Sequence, residues 1–227
     1  MVCYRDIDVS WLGYATIRLR GKRTVYLDPG RYSVLDDYDE RDGDVVCVTH
    51  DHHYDPDGIR RVAKPDATVV VYDAVDADNI TRDVTPVDDL DYDVVRVGER
   101  ETLSLDGVRV RSLPAYNRPD GPRDNHPEGF GVGYLVTVDD VRVLWTGDSD
   151  ALPHHDEVDA DVLCPPIGGS FTMNREEAAA LAERMQPDLV VPVHYDTFDA
   201  LETDADAFVT DVANREIGVA LNNPRGQ

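Results

Sequence analysis

The strongest constraint on the fold is a succession of short, β-branched apolar runs separated by Gly, Asp and Pro. In the first half they occupy residues 7–9, 15–19, 24–27, 45–48, 68–72 and 94–97. In the second half the pattern resumes with Leu103, Leu105, Val108 and Val110, then residues 132–138, 141–145, 162–163 and 189–193. Each run has strand length and strand composition, and the intervening residues are turn formers. Helical signals are fewer. Asp55-Pro56 ahead of residues 59–62 predicts a capped helix with Pro in its first turn. Asn174 followed three residues later by Glu177 forms a capping box ahead of a helical body over 178–185, and residues 204–215 predict a terminal helix. No linker rich in Ser or Pro divides the chain and no close repeat is evident, so residues 1–227 are expected to form one domain. Two strand-rich halves with attached helices predict an α/β (α+β) class, two packed sheets with helices outside, in up to four layers.

Charge narrows the function. The 227 residues hold 46 Asp and Glu against 22 Lys and Arg, a formal charge of -24, and only Lys22 and Lys64 are lysines. The acids are scattered between apolar runs instead of gathered in a tail, which predicts a solvated, salt-adapted surface of the kind halophiles use. Such a surface repels phosphate backbones, so nucleic acid is not the expected partner. No run approaches the roughly 18 apolar residues of a membrane span, and residues 1–10 lack a basic segment followed by an apolar one. A soluble, cytoplasmic protein acting on a small molecule is expected, with oligomeric state unreadable. Cys3, Cys47 and Cys164 lack CxxC spacing, against both a disulfide framework and a cysteine metal knuckle.

Seven histidines are present, and three fall within Thr49-His-Asp-His-His-Tyr-Asp55, directly after an apolar strand. Side chains two apart on an extended segment face one side, so His50 and His52 can present two imidazoles to one ion. Two further strands end the same way: residues 141–145 lead into Gly147-Asp148, and residues 189–193 into His194-Tyr195. Potential ligands at several strand ends predict a site at one sheet edge.

With these residues the chain resembles the metallo-β-lactamase superfamily, in the branch similar to ascorbate-6-phosphate lactonase-like hydrolases. The resemblance runs from Trp11-Leu-Gly-Tyr14 and Leu27-Asp-Pro-Gly30 through Thr49-His-Asp-His52, Ala115-Tyr-Asn117, His126-Pro127 and Gly133-Tyr-Leu135. It closes on Thr146-Gly-Asp148, Pro165-Pro-Ile-Gly-Gly169 and Pro192-Val-His-Tyr195. It implies a four-layer αββα sandwich and a hydrolase in which metal-activated hydroxide attacks an ester, lactone, amide or phosphoester. His50 and His52 match the first two motif histidines, Asp148 the bridging aspartate and His194 the late histidine. The family expects a third-strand histidine near residues 115–117. Asn117 stands there, and His126 is the nearby replacement. Literal motif spacing makes Asp55 a ligand and puts Tyr54 where an aspartate belongs; a two-residue deletion instead makes His53 the ligand and Asp55 a helix cap. Tyr14 departs from the histidine usual after that glycine. The implied cofactor is zinc, one or two ions, with manganese or iron as alternatives. Tyr195 is a candidate donor to the reaction intermediate or a packing residue. His154 and His155 read as a solvated loop. Gly168-Gly169 reads equally as a turn or a close approach to substrate. The rival readings are a non-catalytic metal-binding paralogue and, less favoured, a nuclease.

Overall fold

The computed structural model describes residues 1–222. Strands β1 (Val2–Tyr4), β2 (Ile7–Gly13), β3 (Thr16–Arg20), β4 (Thr24–Leu27) and β5 (Gly43–Val48) precede helix α1 (Pro56–Val62). Strands β6 (Ala63–Tyr72) and β7 (Asp93–Val97) complete a seven-stranded sheet in chain order. The second sheet is built from β8 (Thr102–Leu105), β9 (Val108–Ala115), β10 (Gly131–Val138), β11 (Val141–Trp145) and β12 (Val162–Cys164), followed by helix α2 (Arg175–Met185). Strand β13 (Leu189–Val190), helix α3 (Ala205–Ala213) and strand β14 (Gly218–Val219) complete it.

The two sheets repeat one topology that the sequence does not advertise. In the first, β1 to β4 pair antiparallel and β4 to β7 pair parallel. In the second, β8 to β11 pair antiparallel and β11 to β14 pair parallel. Parallel strands buried on both faces should read as unbroken apolar runs; β4 and the Val45–Val48 part of β5 are buried throughout. The halves meet through their inner faces. Tyr134 of β10 donates to the Val48 carbonyl at 3.0 Å, and Trp145 of β11 reaches Asp28 beyond β4 at 2.7 Å. One apolar core runs from Ile7 to Ile217, giving the four-layer αββα sandwich.

Local signals explain the helices. Asp55 accepts the amides of Asp57 and Gly58 and caps α1, with Pro56 at its start. Asn174 and Glu177 form the reciprocal capping box of α2, where Ala178, Ala179, Leu181 and Ala182 are buried. The terminal helix ends at Ala213, two residues short of the predicted end. The run at 189–193 is regular strand only at Leu189–Val190, because Pro192 has no amide to extend the ladder. Strands β1 and β14, three and two residues long, are too short to give a periodic signal.

Candidate metal centre

The centre lies where both sheets change from antiparallel to parallel pairing. Asp28 follows β4, His50, His52 and His53 follow β5, and Asp148 follows β11. His194 enters beyond β13 and His126 from the segment between β9 and β10. Gly147 makes the turn into Asp148 with φ +67, and a Cβ there would lie 2.5 Å from the Val132 carbonyl oxygen. Only glycine tolerates both conditions.

Five imidazoles converge with one carboxylate. Asp148 Oδ2 lies 3.3 Å from His126 Nε2, 3.5 Å from His53 Nε2 and 3.7 Å from His50 Nε2, while Oδ1 lies 3.4 Å from His194 Nε2. His52 Nδ1 is 3.2 Å from His126 Nε2. Two groups have the spacing to hold an ion: His50, His52 and His126, and His50, His53 and Asp148. His50, His53, His126, Asp148 and His194 are all buried, and His52 is at the exposed rim.

Four of the converging atoms have no hydrogen-bond partner: Nε2 of His50, His53 and His194, and Oδ1 of Asp148. A buried polar atom left unpaired costs on the order of 1–3 kcal/mol. Several at one point therefore fit a bound cation, and nitrogen-rich donors suit a transition metal.

Hydrogen bonds on the opposite ring atoms aim these lone pairs inward. Asp28 is almost fully buried and accepts Thr49 N (2.8 Å), Thr49 Oγ1 (2.8 Å), His53 Nδ1 (2.9 Å) and Trp145 Nε1 (2.7 Å). Because the Thr49 hydroxyl donates to Asp28, its oxygen accepts from His50 Nδ1 at 2.9 Å. One carboxylate thereby keeps Nδ1 protonated on two histidines and leaves both Nε2 atoms free for coordination. His126 is fixed differently. Its Nδ1 donates to the Phe171 carbonyl at 3.3 Å, and its backbone amide donates to Asn117 Oδ1 at 2.9 Å. Asn117 Nδ2 donates to the Phe171 carbonyl at 3.0 Å. Beneath it, Asp150 accepts Arg123 Nε at 2.7 Å, and Arg123 Nη2 donates to both Glu177 oxygens at 2.8 Å. The residue at the expected histidine position thus braces a histidine nine residues later.

Burial disfavours charged imidazole here. It pulls His50 well below the ordinary histidine value, lowers His126, and brings His52 and His194 each to about 4. His53 is raised, because Asp148 and Asp28 outweigh its burial. Burial alone would raise Asp148, but the surrounding imidazoles hold it well below the usual carboxylate range. Four of the five imidazoles are thus held towards the neutral form around an ionised carboxylate, the state metal binding requires, and His53 must give up its proton to an incoming ion.

The structure does not bring every candidate to this cluster. Asp55 is committed elsewhere: besides capping α1, its Oδ2 accepts the Arg31 amide at 2.8 Å. Tyr54 points away and donates to the Thr85 carbonyl at 2.7 Å. Tyr195 stacks on Trp11 with ring centroids 4.3 Å apart. It lines a cavity of about 650 Å³ with Trp11, Leu12, Tyr32 and Asp196, none of which is a clustered donor. Tyr14 occupies the place of the expected histidine, its ring 4.6 Å from His194 and 5.1 Å from His53. Gly168 and Gly169 make close backbone approaches to His194 and Asn174 respectively. The solvated-loop reading of 154–155 is corrected. His155 is fully buried in a 3-10 turn (Pro153–Glu157), where its Nδ1 accepts the Leu152 amide at 3.2 Å. The roles of Asp28, Thr49 and Asn117 as braces of the histidines are not evident in the sequence. The one available signal was an apolar strand ending in Asp28 where the next strand ends in histidines.

Comparison with known proteins identifies the family and its fold. Residues 8–194 match the beta-lactamase superfamily domain. A UPF0173 metal-dependent hydrolase of Methanoculleus marisnigri is 32% identical over 225 residues, covering 95% of this chain and 93% of that one. Among solved structures, Igni18, a novel metallo hydrolase from the hyperthermophilic archaeon Ignicoccus hospitalis, superposes with a TM-score of 0.72. It is 20% identical, over 96% of this chain and 95% of its own. CmlA, a diiron β-hydroxylase from Streptomyces venezuelae, gives a TM-score of 0.67 at 18% identity, over 98% of this chain and 54% of its own. Matched along most of its length, the chain belongs to the metallo-β-lactamase superfamily and, within it, to the metal-dependent hydrolases.

Proposed function

We propose that the protein hydrolyses an ester, lactone or phosphoester bond in a small molecule, at a zinc centre held by His50, His52, His126, His53, Asp148 and His194. The observation that carries this reading is the convergence of four buried, unpartnered donor atoms at one point. His50, His52 and His126 would hold one ion, and His50, His53 and Asp148 have the spacing for a second, with His194 at the other oxygen of Asp148 completing the donor set. Five imidazoles and a single carboxylate favour zinc over a hard, oxygen-loving ion. The diiron hydroxylase among the structural neighbours keeps iron as the alternative.

A bound ion of this class supplies Lewis acidity, activating water and polarising the substrate oxygen. The chain's own residues do the rest. Asp28 and Thr49 fix the tautomers of His53 and His50. Asp148, ionised and central, orients the attacking water. Tyr14 and Trp145 close the inner side against bulk solvent. Asp55 is proposed as a structural cap, and Tyr195 as packing. The net charge of -24 and three unpaired cysteines support a salty, intracellular setting, and make nucleic acid an unfavourable substrate. Among the described residues no helix is long and apolar enough to cross a membrane.

The test is elemental analysis of protein purified in molar salt without chelator, alongside turnover of ester, lactone and phosphodiester substrates. About two ions per chain are expected, with turnover lost in His50→Ala and not restored by added metal. A metal-free, inactive wild type would refute the reading.

A further inference from the structure

The rim of the centre carries two guanidinium groups that metal binding does not use. Arg31 Nε donates to the His52 carbonyl at 2.8 Å, and Arg82 Nη2 donates to the Tyr54 carbonyl at 2.7 Å. Two carbonyls on the histidine loop, two residues apart, thus hold two arginines at one mouth. Other arginines near this loop are neutralised: Arg60 pairs with Asp57 and Arg96 with Asp88. Among the described residues neither Arg31 nor Arg82 has a carboxylate within 4.0 Å, although acids outnumber bases two to one in this chain. Burial first, and then the charge of Arg31, lower the Arg82 pKa, while the charge of Asp55 opposes them, which marks two like charges brought near one another.

The backbone beneath Arg31 is strained. Arg31, Tyr32 and Ser33 follow Gly30 in the left-handed region at φ +63, +49 and +60. Consecutive non-glycine residues rarely adopt it, and such strain clusters where a site needs a side chain aimed. Asp55 pins this segment by accepting the Arg31 amide. The result sets the Arg31 guanidinium 4.8 Å over the Tyr32 ring, and Tyr32 packs edge-on against Tyr14 at 4.7 Å. Tyr14 in turn touches His53 and His194. Arginine, tyrosine, tyrosine and metal ligands therefore follow one another from rim to centre.

We propose that the substrate is an anion whose carboxylate or phosphate is received by Arg31 and Arg82, while its body lies along Tyr32 and Tyr14 and its scissile group reaches the histidine cluster. This rests on the hydrolase reading above and adds the substrate class. A planar guanidinium fork recognises such oxyanions directly. In molar salt, where the screening length falls to about 3 Å, only contact of that kind retains selectivity.

Phenylacetate and its neutral isostere phenylacetamide are titrated into metal-loaded wild type, Arg31→Ala, Arg82→Ala and Arg31→Lys in molar KCl. Wild type is expected to bind the carboxylate about tenfold more tightly, the scale of one charge-assisted contact. Either alanine variant should lose most of that preference at unchanged metal content, and Arg31→Lys should keep part of it. Metal-depleted His50→Ala/His53→Ala should retain the preference; its loss there would assign the anion to the metal and overturn the proposal. A preference equal to wild type in both arginine variants would also overturn it. In parallel, 4-nitrophenyl hemisuccinate and 4-nitrophenyl butyrate are compared as substrates. Charge-blind hydrolysis overturns the anion proposal and leaves the hydrolase standing. Charge-selective binding without turnover of either ester, or of the lactone and phosphodiester substrates above, refutes the hydrolase reading and leaves the anion site standing.

Discussion

Replacing Asp28 by Asn tests whether the metal centre is organised from behind. Asp28 Oδ2 accepts three donors and Oδ1 accepts one. The amide of Asn fits best with its oxygen in the Oδ2 place, so its NH₂ faces the Thr49 amide and one bond is lost outright. The other three fall from charged to neutral acceptors. Bonds to charged groups contribute roughly 1.5–3 kcal/mol and neutral ones roughly 0.5–1.5, so one bond lost and three weakened should cost the folded state on the order of 5 kcal/mol. Metal affinity should fall separately, because the tautomers of His50 and His53 are no longer enforced. Loss of an orienting partner typically weakens metal binding by about 10–100-fold, or roughly 1.4–2.7 kcal/mol. The assay is competition against a chromogenic chelator in molar salt, with urea unfolding of the same samples. Trp145→Phe is the control, since it removes one donor to Asp28 but keeps an aromatic ring stacked beside His53 and leaves both tautomer-fixing bonds in place. It should lower stability and leave affinity nearly unchanged. If Asp28→Asn folds and binds metal within about threefold of wild type, or if both variants lose affinity equally, tautomer control by Asp28 is refuted.

Asp55→Ala should leave the metal content per chain unchanged while lowering stability by about 1–2 kcal/mol, the value of a helix cap; His53→Ala should lower the metal content per chain by elemental analysis. His155 is held at about 3 by burial, against an ordinary 6.5, so the unfolded chain takes up its proton first as pH falls. The associated stability is complete above about pH 6.5 and disappears towards pH 3 at about 1.4 kcal/mol per unit; denaturant midpoints for His155→Gln should show a shallower acid slope than wild type. Tyr195→Phe should leave kcat/KM unchanged, since the Trp11-stacked ring lies outside the donor cluster, and a large loss would return this hydroxyl to the chemistry.

Much of the architecture was legible because strand composition and helix caps are local signals. The Asn174–Glu177 box and the Asp55-Pro56 start lie where the sequence places them. So does the adjacency of His50, His52 and His53 to a strand end, since strand periodicity alone carries it. What could not be read is what depends on distant partners. Whether Asp55 or His53 faces the cluster depends on where Arg31 and Asp28 lie, more than twenty residues earlier. His126 reaches the cluster through an Asn117 bond that no periodicity encodes. The burial of His155 depends on a short 3-10 turn packed against α2, and side by side with acidic neighbours it looks like a surface loop.

Each sheet is assembled solely from strands that follow one another in the chain, and the first ends at Val97 before the second begins at Thr102. Each half can therefore zip up from neighbouring pieces, the arrangement that favours rapid folding. The proposed donors divide evenly across that boundary: His50, His52 and His53 on one side, His126, Asp148 and His194 on the other. No ion can see its full set of ligands until the two halves have docked. Bound metal then acts as a clasp: it stabilises only the joined state, by an amount that grows with ion concentration, and its main kinetic effect is to slow separation. A chain nicked at residues 98–101 would become a metal-dependent pair, held together by the ion its two parts share.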